Sequence, residues 1–372
     1  MDMNRLSIAF TPNPELAAAQ ALVDTALAQG AESLMLLAAD ANGCHKQPFD
    51  PWLRQLSVPV CGGVFPQIIH DWQSHTHGYI VVGLPAPIMV HSIPGLSDVT
   101  VDFFKLLQSL FGHEEPPPSL MVLVDGLSSR IGALLDAVYD ILGSNLVYFG
   151  GGAGSLSFQS QPCLFSNQGL LTHHAQLIGL PWRFSLGVEH GWQKYAGPFV
   201  VTASTRNVIH TLDFQPALTV YREYVEADSG RKLSTDSFFE IAKAYPFGME
   251  KADGSILVRD PIHCINHDLH CVGEVAVNSL VHVLKGQKDS LITAAAQGAS
   301  AISGGTGPAI LADCVSRALF LQEDFINELN AIQQVLDQRP LFGMLTLGEI
   351  ANGGGICLEF YNKTLVLVAT QE

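Results

Sequence analysis

The sequence predicts a mixed α+β and α/β chain of two modules. Each module carries a mixed β-sheet covered by helices, with a ligand cleft between or within them. Three observations predict this. The 372 residues exceed what one core usually supports, at about 150 residues per domain. The first 150 or so residues alternate strand and helix patterns, as α/β units do. From about residue 161 the alternation gives way to short apolar runs joined by turn residues. We place the modules at 1–212 and 213–372.

In the first module, residues 6–10 (LSIAF) form a strand, 13–30 an amphipathic helix capped by Asn13 and closed by Gly30, and 33–39 (SLMLLAA) a buried strand. Strands over 59–65 and 78–84, a helix over 101–112, a strand over 119–127 and a helix over 128–143 follow. The strand 146–154 (LVYFGGGAG) runs into a glycine turn. Hairpin strands over 163–180, 184–192 and 199–212 turn at Asn167-Gln168-Gly169 and Thr205-Arg206-Asn207. The second module opens with a helix over 217–227. Strands over 254–265, 269–275 and 279–286, a helix over 290–303 and a strand over 309–314 come next. A helix from Val315 to Leu336 and strands over 341–350 and 355–370 close the chain. No internal repeat is legible.

Composition narrows the function. Hydrophobic content of 48% with 15% charged residues gives a large interior. The net charge of −16, with basic residues scattered, repels phosphate backbones and anionic lipid, so neither nucleic acid nor a membrane surface is an expected partner. Apolar runs are too short to span a bilayer. Seven cysteines, an odd number without a disulfide framework, fit a reducing, cytoplasmic compartment.

The glycines at 150–152 allow either a tight strand-ending turn or close approach of a ligand to the backbone, which makes Gly151 and Gly152 candidate ligand residues. The stretch HCINHDLHC (263–271) has metal-capable side chains, but Asn266-His267-Asp268 reads as a turn, and alternation along the strands separates the ligands, so no metal is expected. No Ser/His/Asp set or carboxylate pair can be assembled from spacing, so an enzyme is not expected.

On a helical wheel for 315–336, Val315, Leu319, Leu329 and Ile332 share a face, and Arg317 falls opposite beside Asp324 and Glu328. Arg317 is then either part of a solvated charge row or, at the end of a strand, a pocket residue able to hold a carboxylate. Cys314, next to a helix start and a cation, is either an activated thiol or packing.

Several ordered stretches resemble the FIST family. YFGGGAG, LFSNQG and VEHGWQKYAGPFVVTAS (188–204) look like its N-terminal module. YPFGM (245–249), ILADCVSRALFL (310–321), LFGMLTLGEIANGGG (341–355) and FYNKTLVLV (360–368) look like its C-terminal module. The resemblance is to bacterial-type intracellular sensory proteins. It implies a small, amino-acid-like ligand and a separate signalling partner of kinase or cyclase type. Arg317 and Glu349 would hold the two ends of a zwitterion, Asn362 and Thr364 would add polar contacts, and Cys314 would stand at the pocket wall. No cofactor is expected. Because some family members bind haem and respond to nitric oxide, a haem sensor with His190 as axial ligand is one alternative, and an enzyme using Cys314 as nucleophile is another.

Overall fold

The chain passes three times through the same order of elements: strand, helix, strand, helix, strand, hairpin, strand. The computed structural model describes residues 6–112, 115–235, 237–251, 253–337, 339–353 and 357–371. The first pass comprises β1 (Ser7–Thr11), α1 (Leu16–Ala28), β2 (Ser33–Ala39), α2 (Lys46–Leu53), β3 (Val60–Phe65), the hairpin β4 (Gln67–His70) and β5 (Gln73–His75), and β6 (Tyr79–Leu84). The second comprises β7 (Met89–Ile93), α3 (Phe103–Phe111), β8 (Ser119–Asp125), α4 (Ile131–Leu142), β9 (Val147–Ala153), the hairpin β10 (Leu164–Ser166) and β11 (Gly169–Leu171), and β12 (Ala175–Leu180).

The third pass starts with β13 (Phe184–Glu189) and is then interrupted by an insertion. The insertion holds β14 (Gln193–Thr205), β15 (Val208–Leu212), β16 (Gln215–Pro216), α5 (Ala217–Ser229), α6 (Phe238–Ala242), β17 (Phe247–Glu250), β18 (Ile256–Ile265), β19 (Asp268–Val272) and β20 (Leu280–Lys285). The pass resumes with α7 (Lys288–Ala301), β21 (Thr306–Cys314), α8 (Val315–Leu321), α9 (Phe325–Leu336), β22 (Leu341–Thr346), the hairpin β23 (Glu349–Ala351) and β24 (Glu359–Tyr361), and β25 (Leu365–Thr370).

Each pass builds a sheet in the order first, last, second, third strand, with the second and third parallel and the others antiparallel. The hairpins are exchanged. β4–β5 pairs with β22 of the third sheet, β10–β11 with β3 of the first, and β23–β24 with β9 of the second. Every sheet is therefore completed by a distant part of the chain, which locks the three together. The middle strands are buried along their whole length, as expected where helices and neighbouring sheets cover both faces.

Equivalent positions of the three parallel pairs carry Gly62, Gly150 and Gly343, opposite Leu36, Val122 and Leu311. A Cβ on any of them would lie 1.9 to 2.1 Å from the partner's carbonyl oxygen, so only glycine fits. The neighbours Gly151 and Gly152 lie inside β9 rather than in a turn. A Cβ on Gly151 would meet Thr346 Cγ2 at 2.6 Å, and one on Gly152 would meet the Leu347 oxygen at 2.7 Å. They let two sheets touch and line no described cavity, so the ligand role expected of them is corrected to packing.

The insertion closes on itself, because β14 pairs with both β20 and β15. The resulting six-strand barrel is filled by Val201, Ile209, Phe247 and Val281, with Tyr221 of α5 and Phe238 of α6. The mixed α+β architecture expected from the sequence holds, but three details differ. The helix expected over 315–336 is broken at Gln322, which has φ +55°. The last expected strand is interrupted at 362–364, and its opening residues 355 and 356 lie outside the described residues. The fold repeats three times although the sequence does not.

Candidate functional site

A cavity of about 500 Å³ lies where the second sheet, the third sheet and the barrel meet. It sits beyond the carboxyl ends of β8 and β21, the place where parallel strands leave room for ligands. The second sheet contributes 126–129 and the start of α4. The third contributes Cys314, Val315, Ser316 and Leu319 with Thr346, Leu347 and Gly348. The barrel contributes Arg206, Arg259, Asp260 and Cys271, and the chain after β23 contributes Leu358, Phe360 and Asn362.

Buried charges surround the cavity. Lys363, in the left-handed conformation at φ +52°, turns its ammonium inward to Asp260 Oδ2 (3.1 Å) and Ser316 Oγ (2.8 Å). Ser316 Oγ in turn donates to the same Asp260 oxygen at 2.6 Å. Burial pushes the Asp260 carboxyl upward, with Lys363 opposing. Among the described residues nothing donates a hydrogen bond to Asp260 Oδ1 or Asn362 Oδ1. Arg259 is 7% exposed. It donates from Nε to the Glu274 oxygen (2.8 Å) and from Nη1 to the oxygens of Val258 and Phe360 (3.1 Å each).

Arg317, expected at a pocket or in a solvated row, does neither and is 0% exposed. Its Nε lies 3.1 Å from Asp313 Oδ1, and its Nη2 donates to Glu328 Oε2 at 2.5 Å. The His190 and Leu291 carbonyls accept from it at 2.5 and 3.3 Å. The break at Gln322 re-aims α9, so Glu328 folds back over α8 instead of extending a charged row. Burial disfavours the guanidinium charge, but Glu328 and Asp313 hold its pKa above the ordinary value. Asp313 is pushed up by burial and then by Glu328, with the Arg317 guanidinium opposing.

Glu349, expected to hold an ammonium group, is also off the cavity wall. Thr346 donates to its Oε1 at 2.5 Å and the Thr364 N–H to its Oε2 at 3.2 Å, and burial pushes its pKa to about 8. Thr364 donates to the Asn362 carbonyl at 2.8 Å and does not reach the cavity. Asn362 does line it. The two were expected to share one face of a strand, but the strand stops at Tyr361 and Lys363 turns between them.

Cys314 stands in the cavity wall, its thiol pushed well up by burial and then by Glu349, so it holds no reactive thiolate at neutral pH. The residues lining this cavity do not fit haem. No histidine is among those lining the cavity, and the two wall cysteines, 271 and 314, are both held protonated. His190 accepts the Trp192 N–H on Nδ1 at 2.9 Å and is pushed down to about 4 by burial and then by Arg317. Among the described residues no group of three or more metal-capable side chains converges. In the 263–271 stretch His263 stacks on His270 at 4.5 Å, and Cys264 and Cys271 are buried.

The profile of the FIST N domain matches residues 32–215, and that of the FIST C domain matches residues 217–352. The chain belongs to the FIST family. No curated protein matches it. FIST domains are signal-transduction sensor domains, and the cavity draws its walls from both FIST modules. Among the described residues no helix is long and apolar enough to cross a membrane. Sequence reasoning missed Arg259, Asp260, Ser316 and Lys363. The one available signal was that Arg259-Asp260 interrupts an otherwise apolar strand, SILVRDPI.

Proposed function

We propose that this FIST protein is a non-catalytic, cytoplasmic sensor and that its ligand, small and amino-acid-like, occupies the cavity at the junction of the two sheets and the barrel. The observation that carries this reading is the origin of the walls. Residues from three separately built bodies meet around one space, so a ligand held there changes the free energy of their mutual arrangement, which is what a sensor needs. Asn362 and Asp260, each with an unmade hydrogen bond, are natural acceptors for the ligand's N–H groups. Signal would pass to a separate protein of kinase or cyclase type. Seven unpaired cysteines support a reducing compartment.

Thermal-shift screening of the twenty amino acids tests this with wild type and Leu319→Trp, whose half-buried side chain lines the cavity and would fill it. Stabilisation by one or a few amino acids, abolished in the variant, is expected. Stabilisation that survives the substitution would remove the cavity from the function.

A further inference from the structure

Arg259 is a buried cation in the cavity wall, and among the described residues no carboxylate lies within ion-pair distance of it. Lys363 has Asp260, and Arg317 has Glu328 and Asp313. Among the described residues Arg259 forms no ion pair, three main-chain carbonyls occupy its Nε and Nη1, and nothing bonds its Nη2. Burial pulls its pKa down, and Glu359 and then Glu274 oppose it from beyond ion-pair distance. A buried charge left uncompensated is costly, so the site is built for an anion that arrives from outside.

A second, independent feature faces the same space. The 12-residue α4 places Ile131 and Gly132 on the wall, next to Ser128 and Ser129 of the loop before it, and the first-turn N–H groups of a helix have no intrahelical partner. A Cβ on Gly132 would meet nothing within 4 Å, so this end of the helix is open. The rest of the wall is largely apolar, including Leu127, Leu135, Leu156, Leu319, Leu347 and Phe360. At about 30 Å³ per water, 500 Å³ holds roughly seventeen waters, several times the space around one small amino acid. The carboxylates of exposed Asp136 and Glu274 and of half-buried Glu359 also line the cavity and disfavour a second negative charge on the ligand.

We propose that the cavity takes an amphipathic monocarboxylic acid, its carboxylate bound by Arg259 and the start of α4 and its apolar body, ten or more heavy atoms, lying along the leucine-rich wall. This rests on the reading that the cavity is the sensory site, and narrows it: the acid group and the body are the recognised parts, and a free α-amino group is not required.

Isothermal titration of the full chain with 5-phenylpentanoate, 5-phenylpentylamine and acetate tests the proposal. The acid is expected to bind, the amine to bind at least about tenfold more weakly, and acetate not to be detected, since a charge-assisted bond of this kind is worth about a factor of ten or more. Arg259→Gln should cost the acid about tenfold or more while leaving the amine's affinity unchanged, and Arg259→Lys should restore part of it. Equal binding of acid and amine, or an equal loss of both in Arg259→Gln, overturns the proposal. If Arg259→Gln fails to fold, Leu319→Trp and Arg259→Lys carry the test. Acid binding unaffected by both overturns it. If leucine binds and 5-phenylpentanoate does not, the amphipathic class fails while the cavity as sensory site stands. If amino acids and the acid all bind regardless of Leu319→Trp, the cavity itself is wrong.

Discussion

Replacing Arg317 with methionine separates a structural role from a ligand-binding one. The guanidinium is 0% exposed and joins Glu328 and Asp313 to the carbonyls of His190 and Leu291. Removing it strands the Glu328 carboxylate in the interior. Breaking a buried pair from one side costs about 3–5 kcal/mol, and each carbonyl left unpaired adds about 1–3 kcal/mol if no water reaches it. Against a stability of about 5–15 kcal/mol, the loss is a large share of the total. Urea unfolding followed by far-UV circular dichroism should show a midpoint lowered by a corresponding amount. The triple replacement Arg317→Met, Glu328→Met, Asp313→Leu removes every charge together and should recover most of the loss, because a well-packed apolar substitute is often no worse than the buried ions it replaces. A single Arg317→Met variant as stable as wild type but deaf to ligand would refute this account and restore Arg317 to the binding site.

Three further outcomes follow from the same geometry. Glu349 is held protonated by burial up to a pH of about 8, against 4.5 for an ordinary glutamate. A raised folded pKa means stability fully present below about pH 4.5 and lost as pH rises towards 8, so Glu349→Gln should flatten the fall in urea midpoint between pH 5 and 8, and an unchanged slope would count against it. Gly150→Ala puts a Cβ 1.9 Å from the Val122 oxygen and should cost about 3 kcal/mol or more, so a soluble variant of wild-type stability would rule out the close strand crossing. Native protein treated with iodoacetamide at pH 7.5 should label half-buried Cys357 first and Cys314 only after unfolding; mass spectrometry showing early modification of Cys314 would reject the protonated thiol.

Much of the fold is legible in the sequence, because its middle strands are uninterrupted apolar runs bounded by glycine. β2, β8 and β21 stand where their runs predict them, as do α1, α4 and α7 within a few residues. The threefold repeat is not legible. Its shared requirement is backbone contact at Gly62, Gly150 and Gly343, which fixes one residue per pass and leaves the side chains free to diverge. The hairpin exchange is equally silent, since β4, β10 and β23 are three or four residues long and pair with strands far away in sequence.

The charged residues were harder to read for a related reason. A helical wheel treats 315–336 as one rigid rod, and under that assumption Arg317 and Glu328 form an outward row. One residue at positive φ, Gln322, removes the assumption and turns the row into a buried clasp. Arg259 shows the converse. On a strand whose neighbours are apolar, an arginine looks like a surface side chain of a half-buried sheet, but β18 belongs to a closed barrel pressed against two other sheets, and both its faces are covered from Leu257 to Pro261. Arg317 gains acidic partners from α9 and β21 and becomes part of the frame, whereas Arg259, among the described residues, bonds only carbonyls and has no carboxylate in ion-pair contact at the cavity. Affinity for an anion should follow the unmatched cation, because only there does a ligand supply charge that the fold itself leaves out.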